Sequence, residues 1–375
     1  MPRLTLLQIV PTLSGGLARA TLDAAQAVIA AGGAAIVASP GGTRLPDLLR
    51  LRATHLELPE MGTMPWAKPG LAGRLAKSLA TSDINVIQAR SPASAVIAGA
   101  LARRLKARWI ATLHQPLSTK GLMRHLTEKR QGMADAVVAV SDYLARDAQQ
   151  RFGDLGDRLY TLPTGINLDR FDPAVVRADR VIKLASELRM PDGRLVVLCP
   201  GRFLEDHGQK TLVQAIKLLG RDDIFCLLLG STGAPTPFEK ELEQTIEAAE
   251  LNGRVQIGPY VDDMPAAYML ADVVVTTGGP RRGFSRPLIE AQAMGRPVVA
   301  EEGGGAAEAV QPGITGWLAA PDDPDSLAAS ISHALSLSAE QRAQYARTTQ
   351  ESVRGRYDLA QTNRDLLGLY ERLAG

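Results

Sequence analysis

The residues best suited to chemistry gather in one stretch, Gly278–Val310, GGPRRGFSRPLIEAQAMGRPVVAEEGGGAAEAV. Here Gly283, Phe284 and Ser285 lead into a short helix whose first turn tolerates Pro287 and which Gly295 ends. The open amides and positive dipole end of such a helix suit a phosphate. Glu290 lies one turn inside, on the face of Arg286, where a carboxylate can take ribose hydroxyls. The stretch therefore predicts a nucleotide cradle, backed by a buried strand at 297–300 and a second glycine loop, Gly303–Gly305. His114 closes another apolar run. At the carboxyl end of a parallel strand it either lines a ligand crevice or bonds a nearby carbonyl, and both readings stay open. Arg202 follows a strand in Pro-Gly-Arg, as a solvated cation or an anion contact. The other histidines, at 55, 125, 207 and 333, show no ligand spacing for a metal. The acidic run Asp322, Asp323, Asp325 precedes a helix and predicts caps and turns.

These groups need elements to hold them. Residues 4–10 read as a strand, followed by Gly15-Gly16 and a helix from about 18 to 31, the opening of a Rossmann-like unit. No G-x-G-x-x-G is present, which argues against a dinucleotide dehydrogenase. Further strands are expected at 34–39, 85–89, 108–113, 135–140 and 158–163. Residues 41–82 read as polar turns with a helix near 70–80. Helices are expected at 93–105 and 120–130, and Ser141 caps another. The Gly/Pro/Asp-bounded segment 164–173 predicts a linker. A second alternating run then begins, with strands at 195–199, 225–229, 254–257, 272–276, 297–300 and 316–319. Its helices fall at 210–219, 239–251, 264–270, 325–335 and 339–373, the last broken near Gly355. Two sets of β-α repeats imply an α/β fold of two Rossmann-like, doubly wound parallel sheets, facing each other across a cleft, with ligands outside the strand carboxyl ends. The expected domains are 1–165 and 174–355.

Composition narrows the class. The chain has 375 residues, enough for two ordinary domains, with 45% hydrophobic and 22% charged residues. Aromatics make up only 4%, leaving no stacking platform for single-stranded nucleic acid. Cys199 and Cys226 both lie in apolar runs, which fits a reducing cytosol and neither a disulfide nor a metal site. The apolar start is too short for a signal segment, and nothing approaches the ~18 apolar residues of a spanning helix. Net charge is +2, but residues 1–165 hold 20 Lys+Arg against 11 Asp+Glu, while residues 166–375 hold 22 against 29. The first half is thus +9 and the second −7. Arg103, Arg104, Lys106 and Arg108, then Lys120, Arg124, Lys129 and Arg130, carry much of the excess. The second group interleaves with Leu122, Met123 and Leu126. Such a face either meets anionic lipid or an acceptor phosphate, or is simply solvated. No nucleic-acid motif accompanies it.

In chain order, Val-Pro-Thr-Leu-Ser-Gly-Gly (10–16), Thr-Leu-His (112–114), Pro-Gly-Arg (200–202) and Gly-Phe-Ser (283–285) with Glu290 form a pattern. Ala-Met-Gly-Arg-Pro-Val-Val-Ala (293–300), the Gly-Gly loop before Glu308 and Thr-Gly-Trp-Leu (315–318) complete it. The whole resembles the nucleotide-sugar site of family 4 glycosyltransferases, which are retaining enzymes of GT-B architecture. The resemblance implies that Gly15 and Gly16 approach donor and acceptor by backbone, and that His114 touches the reacting sugar. It also implies that Arg202 and the 283–286 loop hold the donor diphosphate and Glu290 the ribose, with Gly258–Val261 facing the base. Gly303–Gly305 line the sugar side or simply pack. A last helix, roughly 357–373, is expected to cross back onto the first domain. The implied substrates are a nucleotide-diphosphate sugar and a bacterial envelope glycan or lipid-linked acceptor. No metal or other cofactor is implied, and the implied place is the cytoplasm, peripheral at the inner face of the membrane.

Two positions depart from the family. Arg282 stands eight residues before Glu290 where a Glu is usual, and His207 stands five after Arg202 where a Lys is usual. Neutral imidazole is a poor substitute for a phosphate-binding ammonium. Three readings are open: exchange of charge, with Arg282 or Arg281 supplying the lost cation; a donor with an acidic sugar; or loss of catalysis. The rivals are accordingly a catalytically silent binding protein and a nucleotide-sugar epimerase of the same architecture.

Overall fold

The computed structural model describes residues 3–62, 70–117 and 122–375. Its contacts divide the chain into two compact units, residues 1–165 with 359–375, and residues 166–358.

The first unit is a parallel sheet of β1 (Thr5–Ile9), β2 (Ala34–Ser39), β3 (Thr54–Glu57), β4 (Val86–Ala89), β5 (Arg108–Leu113), β6 (Ala136–Ala139) and β7 (Leu159–Thr161), in the order β3-β2-β1-β4-β5-β6-β7. Strands β1, β4 and β6 are buried along their whole length, so they read as continuous apolar runs. Thr5, Gln8 and Gln88 are the polar exceptions. The order reverses between β1 and β4, which makes their carboxyl ends the switch point where such sheets bind ligands. Edge strand β3 falls where only turns were expected, because three polar residues in four, Thr54, His55 and Glu57, hide it. His55 is not surplus there: its Nε2 and the Ser39 hydroxyl are 2.9 Å apart.

The final helix Leu359–Ala374 packs on this sheet, burying Leu369 and Tyr370 among Leu6, Val28, Val86 and Ile110. Each such fully buried side chain contributes about 1.5–3 kcal/mol. Gly165 permits the approach, since a Cβ there would lie 2.6 Å from Leu359 Cα. The long C-terminal helical segment breaks at Tyr357–Asp358, two residues past Gly355 and close to where the break was expected. Tyr357 turns aside because its carbonyl accepts from the Ile166 amide at 2.9 Å, while its ring packs 6.0 Å from that of Phe284.

The second unit repeats the plan with β8 (Leu195–Pro200), β9 (Ile224–Ser231), β10 (Val255–Pro259), β11 (Val273–Thr276), β12 (Val298–Glu301) and β13 (Trp317–Ala319), all parallel, in the order β10-β9-β8-β11-β12-β13. One face buries Leu198, Phe225, Val274 and Val298, and the other Val197, Cys226, Val275 and Val299, the alternation a pleated strand requires. Cys199 and Cys226 are free and buried, and burial raises both thiols, Cys199 to about 11. An amphipathic helix Ala178–Glu187, not expected from the sequence, precedes β8. The switch point here lies between β8 and β11. Among the described residues no helix is long and apolar enough to cross a membrane.

Candidate active site

In the second unit the loops leaving β8 and β11 meet at the switch point. Gly208 makes the contact possible: at φ +72°, a Cβ would sit 2.8 Å from the Gly278 amide. Arg202 projects from the first loop as an exposed side chain. Its carbonyl is fixed by two donors, His207 Nδ1 and Gln209 Nε2, each at 2.9 Å. His207 therefore uses one ring nitrogen to hold the loop. Burial, with Arg282 and Arg202 nearby, lowers its pKa to about 4 despite that bond. At neutral pH position 207 carries no charge.

The cation beside it is Arg282. Its Nε–H donates to the Thr277 carbonyl at the end of β11, and its guanidinium reaches Gly201, where a Cβ would lie 3.8 Å from Nη2. Arg282 thus lies between the two loops, largely enclosed, and burial lowers its pKa from the ordinary value. Arg281, its neighbour, is committed elsewhere. It pairs with Asp322 through two contacts of 3.0 and 2.6 Å and donates to the Asp206 carbonyl at 2.9 Å. Of the two arginines, Arg282 is the one whose guanidinium reaches Gly201, next to Arg202. The remaining aspartates of the acidic run behave as turn formers: Asp323 accepts from the Asp325 and Ser326 amides and caps the helix Pro324–Leu335.

The helix Arg286–Ala293 begins directly after the Gly283–Ser285 loop, with Pro287 in its first turn as expected. Gly283 and Ser285 are buried, and Phe284 is anchored by its ring contact with Tyr357. Glu290 sits one turn in. Its Oε2 accepts from the Tyr268 hydroxyl at 2.9 Å, and its Oε1 lies 3.7 Å from Arg286 Nε. Tyr268 is fully buried, and desolvation together with Glu290 raises its phenol well above the usual range, so it remains a donor. Glu290 is therefore held as a carboxylate acceptor at about one-eighth exposure.

Within Gly303–Gly305, the last two residues pack against the Arg282 backbone. The Gly305 amide donates to the Arg282 carbonyl at 2.9 Å, and a Cβ on Gly304 would lie 2.5 Å from that same oxygen. Behind them stands Glu301, which sequence reasoning missed. It is 1% exposed; Oε2 accepts from the Gly278 amide at 2.7 Å, while Oε1 has no partner among the described residues. Burial raises its pKa. Buried Gln209 Oε1, Thr276 Oγ1 and Ser285 Oγ are likewise without partners. All four flank the carboxyl ends of β8, β11 and β12 or the helices that follow them. Buried polar atoms are normally satisfied, so such a concentration marks a polar site.

In the first unit Gly15 opens the helix Gly15–Ala30 at φ +69° with nothing within 4 Å of an added Cβ, so the backbone conformation rather than space requires glycine. Gly16 follows inside that helix. His114 lies past the end of β5, half-buried, on a cavity of about 50 Å³ lined also by Asp23, Arg90, Thr112, Thr164 and Asn363. A polar layer underlies it: the Tyr370 hydroxyl donates to Gln88 Oε1 at 2.7 Å, and Gln88 Nε2 to Thr112 Oγ1 at 2.8 Å. Arg103, Arg104, Lys106 and Arg108 sit at the opposite end of the sheet, where the helix Pro92–Leu105 runs into β5. Arg108 pairs with Asp135 at 2.9 Å. Of the second basic group, Lys120 lies outside the described residues, as do the side chains of Leu122, Met123 and Arg124. Lys129, Arg130 and Leu126 are exposed on the helix Leu122–Gln131.

Two Rossmann-like α/β domains with polar groups at their switch points define the architecture as GT-B. Residues 14–170 match the family described as Glycosyltransferase Family 4, and residues 182–352 that described as Glycosyl transferases group 1. The chain belongs to the family 4 glycosyltransferases. It is 33% identical over 194 residues to a D-inositol 3-phosphate glycosyltransferase of Xylanimonas cellulosilytica, covering 51% of this chain and 46% of that one. It is 28% identical over 288 residues to a GDP-mannose-dependent alpha-(1-6)-phosphatidylinositol monomannoside mannosyltransferase of Mycolicibacterium smegmatis, covering 72% of each. The chain spans about half the length of the first of these relatives. In fold it is similar to Anabaena HepE, solved with UDP and glucose, at a TM-score of 0.86 and 21% identity over 98% of this chain and 100% of that one.

Proposed function

We propose that the protein transfers a sugar from a nucleoside diphosphate sugar to a hydroxyl of an envelope glycan or lipid-linked acceptor, with retention of configuration. The observation that carries this reading is the pairing of Arg202 and Arg282 beside a neutral His207, with an anchored Glu290 in the helix that follows the Arg282 loop. A leaving nucleoside diphosphate gains negative charge as the glycosidic bond breaks, and fixed guanidinium groups stabilise it. Arg282 supplies the charge that a lysine at 207 would otherwise give, which favours charge exchange over decay of the site. Ser285 and the start of the helix Arg286–Ala293 meet the phosphate oxygens, and Glu290 takes the ribose hydroxyls.

The chemistry balances without a protein base. The bond from the anomeric carbon to the phosphate oxygen breaks, and a bond to the acceptor oxygen forms on the same face. The acceptor proton passes to the departing phosphate oxygen. The chain supplies orientation, through Gly15, Gly16 and His114, and charge stabilisation, through the two arginines. With two cations at the diphosphate the reaction calls for no divalent metal.

The relatives named above act on GDP-mannose and inositol-containing acceptors, and HepE binds UDP, so uridine and guanosine diphosphate sugars are the donors to test first. The +9 charge of residues 1–165 suits an anionic lipid-linked acceptor at the cytoplasmic membrane face. Incubation with UDP- and GDP-sugars decides among the readings. Release of nucleoside diphosphate with sugar hydrolysis or transfer supports the transferase, and a product anomer matching the donor supports retention. Sugar isomerisation without release points to an epimerase, and absence of nucleotide binding to a silent partner.

A further inference from the structure

Arg90 lies against the ring of His114. It follows β4 at the switch point of the first unit and is 5% exposed. Three directions of its guanidinium are occupied: Nε donates to Gln8 Oε1 at 2.9 Å, Nη2 to the Ala20 carbonyl at 3.1 Å, and Nη1 faces His114 Nε2 at 3.4 Å. Gln8 is itself oriented, because its Nε2 donates to the Thr21 carbonyl at 2.9 Å. A carbonyl can only accept and a guanidinium only donate, so the Gln8 amide has a single consistent orientation. The planar fork of Arg90 is then locked against rotation.

A guanidinium keeps its proton in proteins and has no acceptor atom. Two N–H groups facing each other would repel, so the ring nitrogen nearest Arg90 must offer a lone pair. We infer that Arg90 is a positioning residue that holds His114 as the neutral tautomer protonated on Nδ1, with the Nε2 lone pair engaged. Free histidine chemistry leaves both tautomers accessible, and the partner on one nitrogen decides the other. In this state the ring proton of His114 sits on Nδ1, so that side donates and is not a base. Resting on the transferase reading, that makes His114 a donor to a sugar hydroxyl rather than the group that deprotonates the acceptor.

The test is a long-range proton–nitrogen correlation spectrum of the uniformly ¹⁵N-labelled full chain near pH 7, without substrate. Five histidines give five patterns, and His114→Gln assigns the relevant one. The expected pattern is pyrrole-like Nδ1 and pyridine-like Nε2. Arg90→Met should shift it towards the Nε2-protonated form, and Arg90→Lys, which keeps a donor, should hold it. An Nε2-protonated or doubly protonated His114 in the unsubstituted chain overturns the inference, as does an unchanged pattern in Arg90→Met. If Arg90→Met does not fold, the spectrum of the unsubstituted chain decides alone. Because no donor or acceptor is present, the result stands apart from the transferase reading, which falls or holds on nucleotide release.

Discussion

Arg282 reaches across from the end of β11 to Gly201, beside His207, and lowers the proton affinity of that imidazole. The two positions at which the chain departs from its family are thus neighbours in space, 75 residues apart in sequence, and their charges are complementary substitutions. Arg282→Glu should remove a cation from the proposed diphosphate seat and add an anion. We expect at least a ~100-fold loss of turnover. Arg281→Ala, which removes the pair with Asp322 and the bond to the Asp206 carbonyl, should leave turnover within a few fold. A rise in activity for Arg282→Glu would mean instead that the family's lost carboxylate was what the site needed.

Glu290 is presented by Tyr268, so the two should be separable in binding. Glu290→Ala should weaken nucleotide binding by about 1–3 kcal/mol through unpaired ribose hydroxyls. Tyr268→Phe should cost less, about 1 kcal/mol, by freeing the carboxylate from one anchor. Calorimetry on both variants checks the order, and equal affinities for all three proteins would remove Glu290 from the site.

His207 gives a pH signature with a definite sign. Its folded pKa, about 4, lies below the ordinary histidine value of 6.5, so between these pH values the unfolded chain binds more protons. The contribution is fully present above pH 6.5 and is lost as pH falls towards 4. Denaturant midpoints of the unsubstituted chain should therefore drop across that window more steeply than those of His207→Gln. Parallel curves would show that His207 titrates normally.

Much of this arrangement was legible in the sequence, and the omissions have two causes. Continuous apolar runs such as Val273–Thr276 gave away the central strands, and Gly-Phe-Ser before Glu290 marked the helix entry. Strand β3 escaped because an edge strand need not be apolar, and Ala178–Glu187 because it lies beyond the expected linker. Tyr268, Glu301 and Arg90 escaped for a different reason. Their partners Glu290, Gly278 and Gln8 lie 22, 23 and 82 residues away, and nothing local in the sequence encodes such a meeting. The choice between Arg281 and Arg282 was undecidable until Asp322 was seen to claim the first.

Cys199 and Cys226 should be inert in the folded chain. Burial raises both thiols, so the reactive thiolate is scarce at pH 8. Alkylation counted by mass spectrometry should label neither in native protein and both in denaturant. Rapid native labelling would place at least one of them in an open strand.

The seating of a diphosphate between Arg202 and Arg282 is tested most directly by calorimetric titration of UDP and GDP into the unsubstituted chain, Arg202→Ala and Arg282→Ala. One of the two nucleotides should bind the unsubstituted chain, and each substitution should weaken that binding at least ~10-fold, the loss of one charge-assisted contact. Unchanged or tighter binding by Arg282→Ala would contradict the account.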